Sequence, residues 1–273
     1  MLRSDLHAER SSDVLQEGLR AASEELWFVN PTRDTMADLV HVLRETGSAT
    51  PPTPIRIFAA ERPLKALSDD FLLASVTADL VSTEQVKLRS LETPPRHSLL
   101  MTPDSVVSLI ECERRVAGLT SARDEFVEQA YAEYQRRWRR AEAFTLRTPP
   151  LSEIRESLAD DIGPETATDF DRALEALTDV DGERIDEVTL SLLVAANNGE
   201  LLYDISRWGE DIRLASKATF SRNKNQLEDI DLIETEKVPI DVGRPRLRLV
   251  LGDAVRGDDI KDVTKRAQRE LGG

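Results

Sequence analysis

Apolar residues recur along the first half of the chain in two patterns that predict different elements. Residues 14–22, 36–43 and 63–80 carry them at helical spacing, whereas the continuous runs Glu25–Val29 and Ile55–Ala59 are typical of buried strands. Four further strands are predicted by short β-branched or leucine-rich runs between turn residues: Val86–Leu91, Ser98–Thr102, Ser105–Ile110 and Arg114–Leu119. This order predicts an α/β fold with a mixed sheet and flanking helices.

A long helix is predicted to follow the last of these strands, from Ser121 to Phe144. One face of it is apolar at helical spacing, through Phe126, Ala130, Tyr134, Trp138 and Ala141. This face is expected either to pack on the sheet or to form the seam of a dimer.

The composition changes at Thr148-Pro149-Pro150, and the pattern beyond this point divides into smaller parts. The sequence predicts an α/β effector-sensing and dimerisation domain over 1–147 and a helical linker over 148–184. A winged helix-turn-helix over 185–256 and a C-terminal amphipathic helix over 257–273 complete the predicted organisation.

The block from residue 185 to 256 has the element order of a winged helix-turn-helix. Ile185–Asn197 and the apolar positions of Leu201–Trp208 predict two helices, and Ser216 is a favourable N-cap for a third. Two runs with the pattern of β-strands follow, Ile233–Val238 and Arg246–Leu251, and the segment between them contains the turn residues Gly243 and Pro245. In this motif the third helix is the one that enters the major groove of DNA.

The third helix offers a polar surface without acids, which predicts contact with DNA. Arginine and lysine suit guanine edges, asparagine and glutamine suit adenine, and the remaining polar groups suit phosphates. The predicted DNA-binding residues are Ser216, Lys217, Thr219, Ser221, Arg222, Asn223, Lys224, Asn225 and Gln226, with Arg244 and Arg246 in the wing.

The net charge of −15 over 273 residues opposes binding to nucleic acid. Only seven of the 36 basic residues are lysine, while aspartate, glutamate and arginine are abundant. This usage is typical of proteins that stay soluble in strong brine, where charge repulsion is screened. Positive charge is nevertheless concentrated in the third helix and the wing. The alternative is a winged helix that binds only proteins, but such a module would not require positive charge in both the third helix and the wing.

The sequence offers little for catalysis, a metal or a cofactor. Cys112 is the single cysteine, so neither an intramolecular disulfide nor a cysteine-based zinc finger is expected. No P-loop, no Gly-x-Gly-x-x-Gly after a strand and no metal-ligand cluster is found. His97 and Asp104 have the spacing of a phospholipase D motif, but Leu99 stands where that motif has lysine. The sequence therefore predicts that this protein is not an enzyme.

Polar residues at the carboxyl ends of the predicted strands favour a small-molecule site in the first domain. Ligands of open α/β sheets bind at these ends, and a helix start favours anions. The candidate effector-binding residues are Asn30, Thr32, Arg33, Arg62, Arg96 and His97. Ion pairing of these arginines with surface acids is the alternative.

The segment SKATFSRNKNQLEDIDLIE, beginning at Ser216, resembles the recognition helix and following turn of winged-helix transcription factors of bacteria and archaea. Val242–Arg246 resembles the Gly-Arg-Pro wing common in archaeal members, whose arginine enters the minor groove. Gly209–Arg213 departs from the pattern, because it lengthens the turn before the third helix and makes the start of that helix uncertain.

The strand and helix order of the first domain resembles half of a phospholipase D-like domain, as in the effector-binding domain of TrmB-type archaeal regulators. Over residues 12–256 the chain is similar to haloarchaeal regulators of the TbsP family. The resemblance implies a metabolite-responsive transcriptional regulator, such as a repressor, of central carbon metabolism (glycolysis and gluconeogenesis). A metabolite-processing enzyme or a protein-interaction adaptor with a winged-helix module is the alternative.

The expected partners follow from this interpretation. They are promoter DNA, a sugar or sugar phosphate as effector, and a second copy of the chain, because two-fold dimers bind palindromic sites. No apolar run approaches the ~18 residues of a membrane span, and no signal peptide is evident at Met1–Asp5. The expected location is the cytoplasm. Operator, sign of regulation, effector identity and dimer interface stay open at this point.

Overall fold

The computed structural model describes residues 6–8, 10–46, 53–112, 115–178, 185–239 and 245–271. The chain forms two compact units, Met1–Arg147 and Thr148–Gly273. Each unit has a hydrophobic core of its own, and each is described separately below.

The first unit is a mixed α/β layer structure, which confirms the predicted fold class. Its elements are β1 (Leu6–Ala8), α1 (Ser11–Ala21), β2 (Leu26–Val29), α2 (Arg33–Thr46), β3 (Ile55–Ala59), α3 (Glu61–Ser68), α4 (Phe71–Ser82), β4 (Val86–Ser90), β5 (Ser98–Met101), β6 (Val106–Cys112), β7 (Arg115–Ser121) and α5 (Asp124–Arg140). The described sheet has the order β1-β7-β6-β5-β2-β3-β4. Strands β2, β3 and β4 run parallel to each other, and the other neighbours are antiparallel.

Helix α5 covers the sheet through a cluster of aromatic side chains. Trp138 meets Trp27 of β2 and Phe58 of β3 edge to face, with ring centroids 5.3 and 5.4 Å apart. Tyr134 and Val127 of α5 are buried in the same cluster. The helix therefore packs on the sheet, which is one of the two expected roles of its apolar face.

Several local predictions for this unit are corrected. Phe126 was assigned to the packed face of α5, but it is 50% exposed and Val127 is buried instead. The helix predicted over 63–80 is two helices, because Asp70 interrupts it and accepts a hydrogen bond from the backbone N–H of Leu73 as the N-cap of α4. The short edge strand β1 was not predicted. Helix α5 is also shorter at both ends than the predicted range.

The second unit contains the predicted winged helix-turn-helix. Its elements are α6 (Leu151–Asp161), α7 (Pro164–Thr178), α8 (Glu187–Asn197), α9 (Leu202–Asp211), α10 (Lys217–Asp229), β8 (Ile233–Val238), β9 (Arg246–Leu251) and α11 (Ile260–Leu271). Helices α8, α9 and α10 with the antiparallel β8–β9 ribbon form the motif, and both strands have the predicted bounds. The sequence also predicts a turn at Asp181-Gly182 ahead of this motif, and those two residues lie outside the part of the chain that the structure describes.

Helices α6, α7 and α11 are integral to the second unit. Helix α7 packs against α6, α8 and α11, and α11 also contacts α8. The indole Nε1 of Trp208 in α9 donates a hydrogen bond to the hydroxyl of Ser157 in α6 at 3.0 Å. The two helices α6 and α7 lie in the segment 148–184, which was predicted as a helical linker, and they belong to this unit. None of the helices in the described part of the chain is long and apolar enough to cross a membrane.

Candidate nucleic-acid interface

The N-terminus of α10 is fixed by Ser216, as the sequence predicts. The hydroxyl oxygen of Ser216 accepts a hydrogen bond from the backbone N–H of Thr219 at 3.2 Å, which satisfies a donor that the first helical turn leaves unpaired. Phe220 and Leu227 are fully buried and hold the helix in the core of the unit. The uncertainty about the start of this helix is thereby resolved.

The additional residues before α10 lengthen the preceding helix. Helix α9 continues to Asp211, so Gly209 lies within it. The chain then turns through Arg213, which has a left-handed φ of 62°, and the N–H of Leu214 donates to the carbonyl of Gly209 at 2.8 Å. Gly209 is required because a Cβ at this position would lie 2.4 Å from the ring of Phe220. The close approach of α9 and α10 depends on this contact.

The outward face of α10 presents most of the predicted DNA-binding residues to solvent. Ser216, Lys217, Ser221, Arg222, Asn225 and Gln226 are exposed, and Thr219 is half-buried. Arg222, Asn225 and Gln226 supply both guanidinium and amide groups for base edges. This arrangement can place hydrogen-bond donors and acceptors in a DNA groove, because they share one side of a single rigid helix.

Asn223 is the exception, and its assignment to the DNA surface is wrong. It is 3% exposed, and its Nδ2 lies 3.0 and 2.8 Å from the two carboxylate oxygens of Asp186. The same nitrogen lies 3.2 Å from the hydroxyl of Thr189. Because the side chain of Asn223 is buried and hydrogen-bonded within the unit, it cannot also contact a DNA base.

Two lysines of α10 already have carboxylate partners. The ammonium of Lys217 lies 2.9 Å from Glu210 of α9, and the hydrogen bond that it donates to that carboxylate is the main cause that raises the pKa of Lys217. Lys224 is half-buried and lies 2.6 Å from Glu228, four residues further along α10. A phosphate must therefore replace a carboxylate at each lysine that contacts DNA.

The ribbon adds cationic groups beside α9. The guanidinium of Arg246 lies 4.6 Å from the ring centre of Tyr203 and 3.6 Å from a carboxylate oxygen of Asp204. Arg248 is also exposed on β9. Sequence reasoning missed Tyr203 and Arg248, although an exposed aromatic at a helix start and alternate arginines on an edge strand are visible signals. Arg244, predicted at the tip of the wing, lies outside the described residues.

The predicted effector-binding residues lie at the carboxyl ends of the parallel strands β2, β3 and β4. Asn30, with a left-handed φ of 53°, follows β2, and its side-chain amide donates to the carbonyl of Pro95 at 2.9 Å. The hydroxyl of Ser98 donates to the carbonyl of Asn30 at 2.8 Å. These bonds connect the end of β2 to the loop that carries Arg96 and His97, both of which are exposed.

The remaining effector candidates lie on the helices that follow β2 and β3. Thr32 caps α2, because its hydroxyl oxygen accepts a hydrogen bond from the N–H of Thr35 at 3.2 Å. Arg33 forms an ion pair with Asp70 at 2.8 Å, as the alternative interpretation of these arginines expects. Arg62 is exposed near the start of α3.

The spacing that resembles a phospholipase D motif does not form a pair in space. His97 precedes β5 and Asp104 follows it, so the two side chains start from opposite ends of one strand. Both residues are exposed. Within the described residues no group of three or more His, Cys, Asp or Glu is arranged to hold a metal ion.

Comparison with protein families identifies both units. The family model of the TbsP-like transcriptional regulator N-terminal domain matches residues 3–149. The model of the TbsP-like C-terminal helix-turn-helix domain matches residues 150–268. No curated protein matches the chain.

Solved structures resemble the chain only in part. TrmBL2, described as an archaeal chromatin protein with a novel mode of DNA binding, is 13% identical, with a TM-score of 0.37. The match covers 53% of this chain and 54% of TrmBL2, so it spans about half of that protein. The phospholipase D family member Nuc from Salmonella typhimurium is 12% identical, with a TM-score of 0.35, and the match covers 50% of this chain and 94% of Nuc. Similarity at this level supports no inference about function.

Proposed function

The chain belongs to the family of TbsP-like transcriptional regulators, and on that premise we propose that it binds promoter DNA through α10 and the β8–β9 ribbon. The observation that carries this proposal is the outward face of α10. It exposes Ser221, Arg222, Asn225 and Gln226 without an intervening acid. Hydrogen bonds from these groups would read base edges, while Arg246 of the adjacent ribbon would contact the phosphate backbone.

The protein acts as a homodimer in this proposal. A two-fold dimer presents two copies of α10 to half-sites about one helical turn apart, which predicts a palindromic operator. Symmetry also doubles the number of phosphate contacts, and this compensates in part for the repulsion between DNA and a chain of net charge −15.

The first experiment is selection of bound sequences from a random duplex library with the full chain, followed by affinity measurements on the enriched site. Arg222→Ala is expected to weaken binding by ~1–3 kcal/mol and to relax specificity at one base position. Arg20→Ala, which removes an exposed arginine from α1 of the other unit, is the matched control and should leave the affinity unchanged. Failure to enrich any sequence, or equal affinities for Arg222→Ala and the unaltered chain, would contradict the proposal.

The first unit senses a small anionic metabolite in the same proposal. Asn30, Arg62, Arg96 and His97 follow the carboxyl ends of three parallel strands, and the start of α2 adds backbone N–H groups. A sugar or sugar phosphate has the hydroxyl and anionic groups that this set would bind. The proposed regulon is central carbon metabolism, namely the genes of glycolysis and gluconeogenesis.

Calorimetric titration with a panel of sugars and sugar phosphates tests this sensor role. Arg96→Ala is expected to weaken binding of an anionic sugar about tenfold, which corresponds to ~1.4 kcal/mol for one charge-assisted contact. Arg123→Ala, an exposed arginine before α5, is the control. Mapping of DNA occupancy across the genome with and without glucose then tests whether the bound genes and the metabolite are connected.

A further inference from the structure

Helix α5 carries on its outward side a stripe of residues that is acidic at one end and basic at the other. The stripe lies opposite the buried side chains of Val127, Tyr134 and Trp138. Its members recur at intervals of three or four residues and are exposed or partly exposed: Glu125, Gln129, Ala132, Arg136 and Arg140. We call this set the α5 stripe.

The helix dipole explains the order of these charges but not the apolar groups beside them. Acids near the start and arginines near the end of a helix are each favourable to the helix itself. Phe126, however, is 50% exposed next to Glu125, and Leu119 of β7 is 46% exposed. The two residues line a groove of about 550 Å³ between α5 and strands β6 and β7. These two side chains offer apolar area beside the stripe that association with another molecule would bury.

We propose that two copies of the chain associate through this surface, with α5 antiparallel to α5 of the second copy. This inference rests on the homodimer of the proposed function and assigns its interface. In a two-fold dimer each contact occurs twice. If residue i of one copy contacts residue j of the other, then residue j of the first copy also contacts residue i of the second. Glu125 and Arg140 lie about equally far on either side of Ala132, so antiparallel pairing sets each glutamate opposite an arginine. The small side chain of Ala132 allows the helices to approach closely near the axis.

The charges of the stripe favour a second copy over another occupant. Within the described part of the chain, neither Glu125 nor Arg140 has an ion-pair partner. A parallel arrangement would bring like charges together, whereas the antiparallel copy satisfies both ends at once. The exposed ring of Phe126 would enter the groove region of the opposite copy, since that groove begins beside the stripe.

Charge-reversal variants of the full chain, measured without DNA, test the proposal. Arg136→Glu with Arg140→Glu gives an all-acidic stripe, and Glu125→Arg gives a basic one. The exposed Glu128 lies beside the stripe and is reversed together with Glu125 (Glu128→Arg), so that each variant changes two charges. Each variant alone is expected to raise the dimer dissociation constant at least about tenfold, because like charges then face each other. An equimolar mixture of the two variants should form heterodimers, since every reversed residue meets an opposite charge. Light scattering at moderate salt and native mass spectrometry distinguish the species.

The mixture is the decisive sample, because a variant that merely misfolds cannot be rescued by a partner with the opposite reversal. Phe126→Ser should also weaken the dimer while leaving the charges unchanged. A monomeric unaltered chain, dimerisation of each variant with unchanged affinity, or a mixture that does not associate would overturn the interface. Failure of the unaltered chain to bind DNA, alongside normal dimers and rescue in the mixture, would instead overturn only the proposed function.

Discussion

The side-chain amide of Asn223 in α10 lies within hydrogen-bond distance of both carboxylate oxygens of Asp186, at 3.0 and 2.8 Å. Asp186 is also the N-cap of α8, where its carboxylate accepts a hydrogen bond from the backbone N–H of Thr189 at 2.7 Å. One carboxylate thus connects the start of α8 to the middle of α10. The orientation of the proposed recognition helix depends on a contact that does not involve DNA.

We expect Asn223→Ala to lower the free energy of unfolding by ~1–3 kcal/mol, because the hydrogen bonds that this buried amide donates to the Asp186 carboxylate and to the buried Thr189 hydroxyl are lost. DNA affinity should fall while the dependence of the affinity on salt stays the same, since no phosphate contact is removed. Urea denaturation and affinity measurements at several salt concentrations check the two effects. Asn225→Ala, on the exposed side of the same helix, should alter the unfolding free energy by less than ~0.5 kcal/mol. Equal effects of the two substitutions would contradict the assignment.

The sequence predicted the winged helix accurately because its signals are local. The N-cap at Ser216 and the bounds of β8 and β9 depend on residues close in the chain. Asn223 was misassigned because its polarity was given more weight than its position. It lies three residues after Phe220 and four before Leu227, which places it on the buried side of α10.

Contacts between elements that are distant in the sequence could not be predicted from local signals of this kind. Adjacent positions such as Phe126 and Val127 compete for the packed face of α5, and the path of the helix over β2 and β3 decides between them. The ion pair of Arg246 with Asp204 joins the ribbon to α9 and has no local signature. The candidate effector residues were predicted as a set because parallel strands end at one edge of a sheet.

Replacement of Glu210 by glutamine is expected to strengthen DNA binding, because Lys217 then reaches a phosphate without leaving a carboxylate at 2.9 Å. In the unaltered chain, Lys217 leaves the Glu210 carboxylate when it contacts a phosphate, and the free carboxylate then attracts cations from solution. This uptake cancels part of the cation release from DNA on which the salt dependence of binding is based. The plot of log K against log salt for Glu210→Gln should therefore be steeper by up to ~1 unit. Fluorescence anisotropy from low to high salt provides both quantities. Asp253→Asn, which also removes an exposed acid of the second unit, is the control. An unchanged slope and affinity for Glu210→Gln would exclude Lys217 from the interface.

Gly209→Ala is expected to destabilise the second unit by ~1–3 kcal/mol, because the added methyl group overpacks the core. Its Cβ would lie 2.4 Å from Cε2 and Cζ of Phe220, whose ring is fully buried in the core of the unit. Gly163→Ala, whose nearest neighbour would be 4.0 Å away, is the control without overpacking and should cost less than Gly209→Ala, about 1 kcal/mol at most, because only the N-cap preference at the start of α7 is affected. Urea denaturation of the two variants gives both values, and a neutral Gly209→Ala would show that α9 and α10 can separate without cost.

Tyr131 makes the free energy of unfolding of the first unit depend on pH at alkaline pH. Burial, followed by the hydrogen bond that its hydroxyl donates to Glu25, raises the pKa of Tyr131 from 10.0 to about 12. Glu25 is held in turn by Arg56, whose Nε lies 2.6 Å from the carboxylate. The folded state retains the neutral phenol, whereas the unfolded chain ionises near pH 10. The stabilisation is therefore fully present below pH 10 and is lost as the pH rises through about 12.

Ultraviolet titration of the phenolate band should accordingly show one tyrosine ionising near pH 12, and Tyr131→Phe should remove that step. The same substitution should flatten the decline in unfolding free energy between pH 10 and 12, because the folded and unfolded states then bind the same number of protons at this position. Tyr203→Phe, which alters an exposed phenol of the second unit, should leave the late step in place. If Tyr131→Phe instead removes a phenol that ionises near pH 10, then the hydroxyl is not held by Glu25 in solution.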